Sequence, residues 1–339
     1  VSTSTCLTAA KKILKADEVS PVLKVGPKLR AKLARGKSVW FINDTLASLD
    51  LATEQSGFVQ AAKLVGLKVH TYNANGTVTG IQTGFADALA AHPAAIAIAA
   101  IEASLIEPEL SQAKAAGIPI ISIWELPDIP GTMYAEVVDN LTQQGQSYVA
   151  AAMVHTGCAV HALWIYAPDY LSEVGALHAG QALTKKLCPT CKITTLDYDL
   201  ASPVTVAPKA AEAVAGDPSI NTVVLASDDI ADVVLPALAQ TGEHPKVYSS
   251  EGLAISLQSI RNKGQMQGDM ALGGADPSTG WFMVDEVLRA ILKMSPSPYD
   301  HIYARWIDST NIASVMGTNA IPTITNHYQS VLKKDWGLG

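Results

Sequence analysis

From residue 38 onward, short apolar or β-branched runs alternate with longer stretches in which apolar residues recur every three or four positions. The short runs predict strands at 38–42, 67–72, 94–100, 118–123, 135–138, 160–166, 193–198, 222–226, 246–249 and 266–270. The periodic stretches predict helices at 52–65, 83–91, 105–116, 141–154, 174–187, 208–215, 231–240, 255–263 and 280–293. Continuously apolar strands separated by helices form a parallel sheet covered by helices on both faces. Gly66, Gly117, Gly216, Gly242 and Gly264 stand just past helix ends, where a left-handed cap is needed.

A repeat underlies this rhythm. The segment starting at Ala88 matches the segment starting at Ala213 at an offset of 125 residues, so that Pro93 falls on Pro218 and Gly117 on Gly242. With one inserted residue, Pro119 then meets Pro245 and Glu125 meets Glu251. Two α/β lobes of the same design leave such a trace, and the 339 residues are about twice the ~150 expected of one domain.

Hydrophobic residues make up 48% of the chain and charged residues 16%, with a mean hydropathy of +0.20. No uninterrupted apolar run approaches the ~18 residues of a membrane span, and the composition excludes disordered and collagen-like chains. The net charge of −7 is unevenly spread. Residues 1–37 hold nine Lys or Arg against Asp17 and Glu18, which leaves −14 on the remainder. A basic arm is a feature of nucleic-acid and membrane binders. The helical spacing of its Leu and Ala residues and its lack of aromatics instead predict an amphipathic helix lying solvated on an acidic body. That acidic body repels phosphate backbones, so no nucleic acid is expected as a partner.

Cys188 and Cys191 form a C-x-x-C pair. A redox site of that type opens a helix after a strand, whereas this pair ends a helical run and precedes a strand. A structural disulfide in an exported protein is expected, with a reduced pair or a redox site as the alternatives. No pairing of Cys6 with Cys158 follows from spacing, and Cys6 lacks the apolar flank of a lipoprotein cleavage site. The chain starts at Val1 without an apolar leader, which is the expectation for a signal peptide already removed.

Catalytic and cofactor motifs are missing. Residues 31–38 end in Gly-Lys-Ser but lack the leading Gly and run into a strand, so they are no phosphate loop. There is no G-x-G-x-x-G after a strand, no G-x-S-x-G and no H-E-x-x-H. Neither a cofactor nor a metal is expected, and the chain is not read as an enzyme. Carboxylates do gather at strand ends: Asp44 and Asp50, Glu102, Glu125, Asp169, Asp228 with Asp229, and Glu251. In open parallel sheets ligands bind outside those ends, although acids there also complement helix dipoles. Trp124 and Tyr166 end strands and Tyr170 follows, offering rings on which the apolar face of a sugar can stack.

The order of Val39–Asp44, Gly117–Ile123, Val138-Asp139-Asn140, Leu225–Asp229 and Glu251-Gly252 resembles type I periplasmic binding proteins of the ribose-binding kind, the receptors of ABC sugar importers. The resemblance implies two similar α/β lobes joined by a three-strand hinge that lets them close on a ligand. It sets an arm at 1–37, one lobe at 38–139 plus 271–311, and the other at 140–270 plus 312–339. Hinge crossings fall near Asp139 and Asn140, near Met270 and near Asn311. Ligand contacts fall at Asn43, Ser48, Leu49, Trp124, Glu125, Ser227, Ser250 and Glu251, joined by Glu102, Asp228, Tyr166 and Tyr170 at the same strand ends.

The chain departs from the pattern where sugar binders carry Asp then Arg and this one carries Trp124-Glu125, and where their Arg near Gly175 is missing. No Lys or Arg occurs between Lys114 and Lys185. A small neutral sugar or polyol, or a cationic compound, is therefore the expected ligand, since a buried anion would lack a partner. The implied partner is a membrane permease, the implied location extracytoplasmic, and the implied state a monomer. The ectodomain of a sensory receptor is the alternative.

Overall fold

The computed structural model describes residues 1–124, 131–137, 140–272, 277–299, 302–315 and 327–339. α1 (Thr3–Asp17) is followed by β1 (Ser38–Asn43), α2 (Leu49–Val65), β2 (Lys68–Asn73), α3 (Val78–Ala90) and β3 (Ala95–Ala99). Next come α4 (Glu107–Ala115), β4 (Ile120–Ile123), β5 (Ala135–Val137), α5 (Leu141–Thr156), β6 (His161–Tyr166) and α6 (Leu171–Leu187). β7 (Lys192–Asp197), α7 (Val206–Gly216), β8 (Thr222–Leu225), α8 (Ala231–Ala239), β9 (Lys246–Ser250) and α9 (Ala254–Arg261) continue the alternation. β10 (Met266–Ala271), α10 (Ser278–Ile291), β11 (Arg305–Asp308), α11 (Ile312–Val315) and α12 (Tyr328–Asp335) complete it.

The strands make two sheets, ordered β2-β1-β3-β4-β5 and β7-β6-β8-β9-β10-β11. Apart from β11, which runs antiparallel to β10, all pairings are parallel. In both sheets the second strand sits outside the first and the third to fifth extend the other way, so the repeat in sequence is a repeat in topology. The α/β fold class expected from the pattern is the fold observed. Central β3 and β4 are buried at every position, as their Ala and Ile content requires, while the outer strands β2 and β7 open with Lys and keep exposed positions.

One unit comprises Val22–Asp139, Asp276–Tyr303 and Thr325–Gly339, and contains the first sheet. Here α2 and α10 approach so closely that a Cβ at Gly280 would fall on the backbone of Glu54 and Phe58, and one at Gly57 on Pro277. Arg289 on α10 is wholly buried, bonded through Nε to Asp285 at 2.8 Å and through Nη2 to Asp335 of α12 at 3.2 Å. The other unit comprises Val1–Pro21, Asn140–Ala275 and Ala304–Ile324, and contains the second sheet. In it Gly145 of α5 lets the backbone of α6 approach at Ala176.

The two units divide the expected arm and the C-terminal segment differently from the sequence boundaries. The arm at 1–37 is not one body: α1 packs on α5 through buried Cys6, Ala10 and Leu14, whereas 22–37 belongs with the first sheet. The last helix α12 also joins the first-sheet unit, drawn in by the buried Arg289–Asp335 pair. Asn311, expected at a crossing, lies in the turn after β11, where its side chain bonds Trp306 O and the Asp308 amide. Met270, likewise expected at a crossing, is an interior residue of β10. Asn140 caps α5, accepting from the Gln143 amide, and Asp139 lies outside the described residues.

Candidate functional site

Each sheet reverses its strand order beside its first strand, β1 in one unit and β6 in the other. In open parallel sheets that reversal opens a crevice at the carboxyl ends of the strands. In the first-sheet unit, β1 delivers Asn43 to this edge, where Nδ2 donates to Leu51 O at 3.1 Å and Oδ1 is buried without a partner among the described residues. Ser48 is the N-cap of α2, its Oγ accepting from the Leu51 amide at 3.1 Å, while Leu49 is 60% exposed. Glu54, one turn into α2 and fully buried, accepts from Trp124 Nε1 at 2.5 Å. Trp124 itself is 7% exposed and adopts a left-handed backbone, with φ at 67°. Its indole is therefore tied to a carboxylate. Glu102 opens a short turn and accepts from Ser104 Oγ at 2.6 Å. Glu125 lies outside the described residues.

The second-sheet unit gathers its residues more tightly. Ser227 Oγ and the Asp228 amide both donate to Glu251 Oε2, each at 3.1 Å. Glu251 takes a positive φ of 100° just after β9. Ser250 Oγ donates to Ala226 O and accepts from Gln144 Nε2 at 2.7 Å. Asp228 accepts from the Leu253 amide at 2.8 Å and from Ser256 Oγ, which ties the β8 loop to the start of α9. Ser227, Asp228, Ser250 and Glu251 are thus one hydrogen-bonded group.

Tyr166 ends β6, and Asp197 beside it raises its phenol further after burial. Tyr170 precedes α6 with its amide on Ala167 O.

Two acids at these edges, Glu173 and Asp269, carry no expectation from the sequence. Glu173 accepts from the Ala167 amide at 2.5 Å and from Tyr198 Oη at 2.8 Å, and burial pushes its carboxyl up to about 7. Asp269 on β10 is fully buried against the carboxyl of Asp228. Burial raises both, Asp228 to about 6 and Asp269 well above the usual range, where the Asp228 charge adds to the effect. The available signal was an acid inside an otherwise apolar strand, Asp269, and an acid in the first turn of a helix, Glu173.

Charge is segregated along both sheets. No Lys or Arg occupies any of the ten positions following each parallel strand, whereas Asp44, Asp50, Glu102, Glu173, Asp228, Asp229 and Glu251 do. Both edges present hydroxyls, amides and carboxylates, and Arg305, which antiparallel β11 sets opposite Ala271 at the end of β10, has its Nε on Glu18 O at 2.8 Å.

No protein-family model and no curated protein matches the chain. Solved structures do match. A solute-binding protein of an ABC transporter from Mycobacterium smegmatis, with bound glycerol, superposes with a TM-score of 0.75 over 85% of this chain and 99% of its own, at 18% identity. A carbohydrate transporter from Acidothermus cellulolyticus in complex with myo-inositol gives 0.71 over 83% and 96%, at 19% identity. A 5-methylthioribose transporter solute-binding protein from Thermotoga lettingae, with that ligand, gives 0.76 over 88% and 93%, at 14% identity. The fold is that of transporter solute-binding proteins. The resemblance read from strand order and loop residues therefore holds at the level of fold. The expected disulfide Cys188–Cys191 is formed, and Cys6 is bonded to Cys158.

Proposed function

We propose that the protein is the extracytoplasmic solute-binding component of an ABC importer and takes up a small neutral polar ligand, a sugar or polyol, without altering it. The carrying observation is that no Lys or Arg follows any of the parallel strands, where carboxylates and amides gather, on a solute-binder fold. Hydroxyl groups donate to such carboxylates and satisfy them without adding charge, whereas a ligand carboxylate or phosphate is repelled by them. The glycerol, myo-inositol and 5-methylthioribose of the structural relatives support the same class.

Asn43, Trp124, Ser227 and Glu251 are the proposed principal contacts, with Ser48, Leu49, Glu102, Tyr166, Tyr170, Asp228, Ser250 and Glu125 around them. A membrane permease is the proposed partner and a monomer the proposed state. The two disulfides support an oxidising, extracytoplasmic location. No helix among the described residues is long and apolar enough to cross a membrane.

The test is a thermal-shift screen over sugars, polyols, sugar phosphates, uronic acids and amines, with mass analysis of the recovered compound. A ligand at a hundred times its Kd stabilises the folded state by about 2.7 kcal/mol. Stabilisation by neutral polyhydroxylated compounds, recovered unchanged, is expected. Stabilisation by the anionic members alone, or recovery of a chemically altered compound, overturns the reading.

A further inference from the structure

The cations excluded from the ligand edge of the first-sheet unit collect at its opposite edge. Lys28, Arg30, Lys32, Arg35 and Lys37 are five cations within ten residues, all exposed, and no acid occurs from Val22 to Asn43. Backbone bonds bring further cations to this segment from distant parts of the chain. Leu29 N donates to Asp335 O at 3.0 Å and Ala31 N to Trp336 O at 3.1 Å, which places the end of α12 with exposed Lys334 beside it. Gly36 N donates to Gly66 O and Lys68 N to Lys37 O, both at 2.8 Å, which adds exposed Lys63 and Lys68.

The only acid in the C-terminal stretch 327–339 is Asp335, which is buried on Arg289 and faces Lys28 alone among these cations. Three apolar side chains stand exposed on these same segments: Val22 at 74%, Leu33 at 66% and Leu64 at 45%.

From this arrangement we propose that the first-sheet unit docks by this basic edge onto an anionic phospholipid surface. Three features select a lipid surface over other polyanions. Six of the eight cations just named are Lys, which is depleted in protein interfaces and lacks the planar fork that recognises single phosphates. Residues 22–37 contain no aromatic side chain, whereas single-stranded nucleic acids are gripped by stacking on aromatics. Exposed Val22, Leu33 and Leu64 among the lysines match the pattern of surfaces that rest on headgroups and push apolar groups between them. The proposal is independent of the ligand, because these residues lie at the ends of the strands remote from the candidate site.

The experiment is co-sedimentation of the whole chain with vesicles of pure phosphatidylcholine and of phosphatidylcholine mixed with phosphatidylglycerol, at low salt and at about 0.5 M salt, where screening acts within a few Å. Binding to the phosphatidylglycerol vesicles, at least tenfold above the neutral ones and lost at high salt, is expected. The variant Arg30→Glu/Lys32→Glu/Lys37→Glu changes exposed residues only, and its melting temperature checks the fold. At about fivefold per cation near an anionic surface, it is expected to lose about a hundredfold or more in binding. Leu33→Ser is the second variant, expected to weaken binding severalfold while leaving its salt dependence intact. Equal binding to both vesicles, no binding at low salt, wild-type binding by a folded triple variant, or tighter binding to double-stranded DNA than to phosphatidylglycerol would each overturn the proposal.

Discussion

Asp269 lies opposite Ser249 in the β9–β10 ladder, fully buried, with the Asp228 carboxyl against its own. Two carboxylates in contact in a dry interior do not both ionise, so the pair holds one proton between them. Asp228 also anchors the start of α9, and its amide holds Glu251, so the shared proton steadies the loop that carries the candidate contacts. Both folded-state values are raised. Their contribution is therefore complete below the unfolded value of about 3.9 and is lost as pH climbs through about 6 and beyond. Asn at position 269 donates permanently what the proton donates conditionally. Asp269→Asn is expected to melt close to the wild type at about pH 5 and above it at about pH 8. Parallel melting curves for the two proteins across that range would show that no proton is shared.

At the scale of elements, α1 shows how a helix with little buried surface is kept. Its buried stripe is Cys6, Ala10 and Leu14, spaced one turn apart, and only Leu14 is large. Asp17 adds bonds from Gln143 Nε2 at 2.8 Å and Ser147 Oγ at 2.6 Å. Arg305 Nε donates to the C-cap carbonyl of Glu18 at 2.8 Å, and the covalent attachment is Cys6–Cys158, which spans 152 residues of sequence, whereas Cys188–Cys191 spans three. Loop-closure entropy makes the long bridge the more stabilising, typically by about 2–4 kcal/mol. Cys6→Ser with Cys158→Ser is thus expected to lower the melting temperature and speed hydrogen exchange throughout α1, while Cys188→Ser with Cys191→Ser costs less. An α1 as protected without its bridge as with it would assign the attachment to packing alone.

At the scale of the molecule, acids raised by burial outnumber, among the described residues, the groups shifted the other way, His155 and Asp217. Burial raises Asp17, Glu173 to about 7, Asp228 to about 6, Asp269, Asp285 and Asp335 to about 6. Each binds its proton more tightly when folded, so each contribution is present at low pH and lost as pH rises through the folded value. His155, lowered by burial and by Lys246, works in the other direction. The melting temperature is expected to fall between about pH 5 and about pH 8, with the steepest loss near 6 to 7, as scanning calorimetry would record. A maximum near pH 8 would mean that these acids are ionised at no cost in the folded chain.

The sequence by itself determined what depends on neighbours along the chain. The Ala-Ile run of β3 and the Ile-rich run of β4 read as buried strands, and Gly66, Gly117 and Gly242 stand past their helices with φ of 81°, 69° and 78°. The offset repeat marks two lobes of one design, and the lack of Lys and Arg after the parallel strands is written in the order of residues alone. Tertiary structure alone decided what joins remote segments. β11, Arg-Trp-Ile-Asp, carries no alternation that marks a strand, and exists as one because β10 offers it an open antiparallel edge. The pairing of Cys6 with Cys158, the contact of Asp228 with Asp269, and the junction of residues 29–31 with 335–336 each unite positions dozens to hundreds apart. Hydrophobic periodicity records which face of an element is buried. Which polar groups meet there is fixed only when folding brings the elements together, because bonds and charges act over a few Å whatever the separation in sequence.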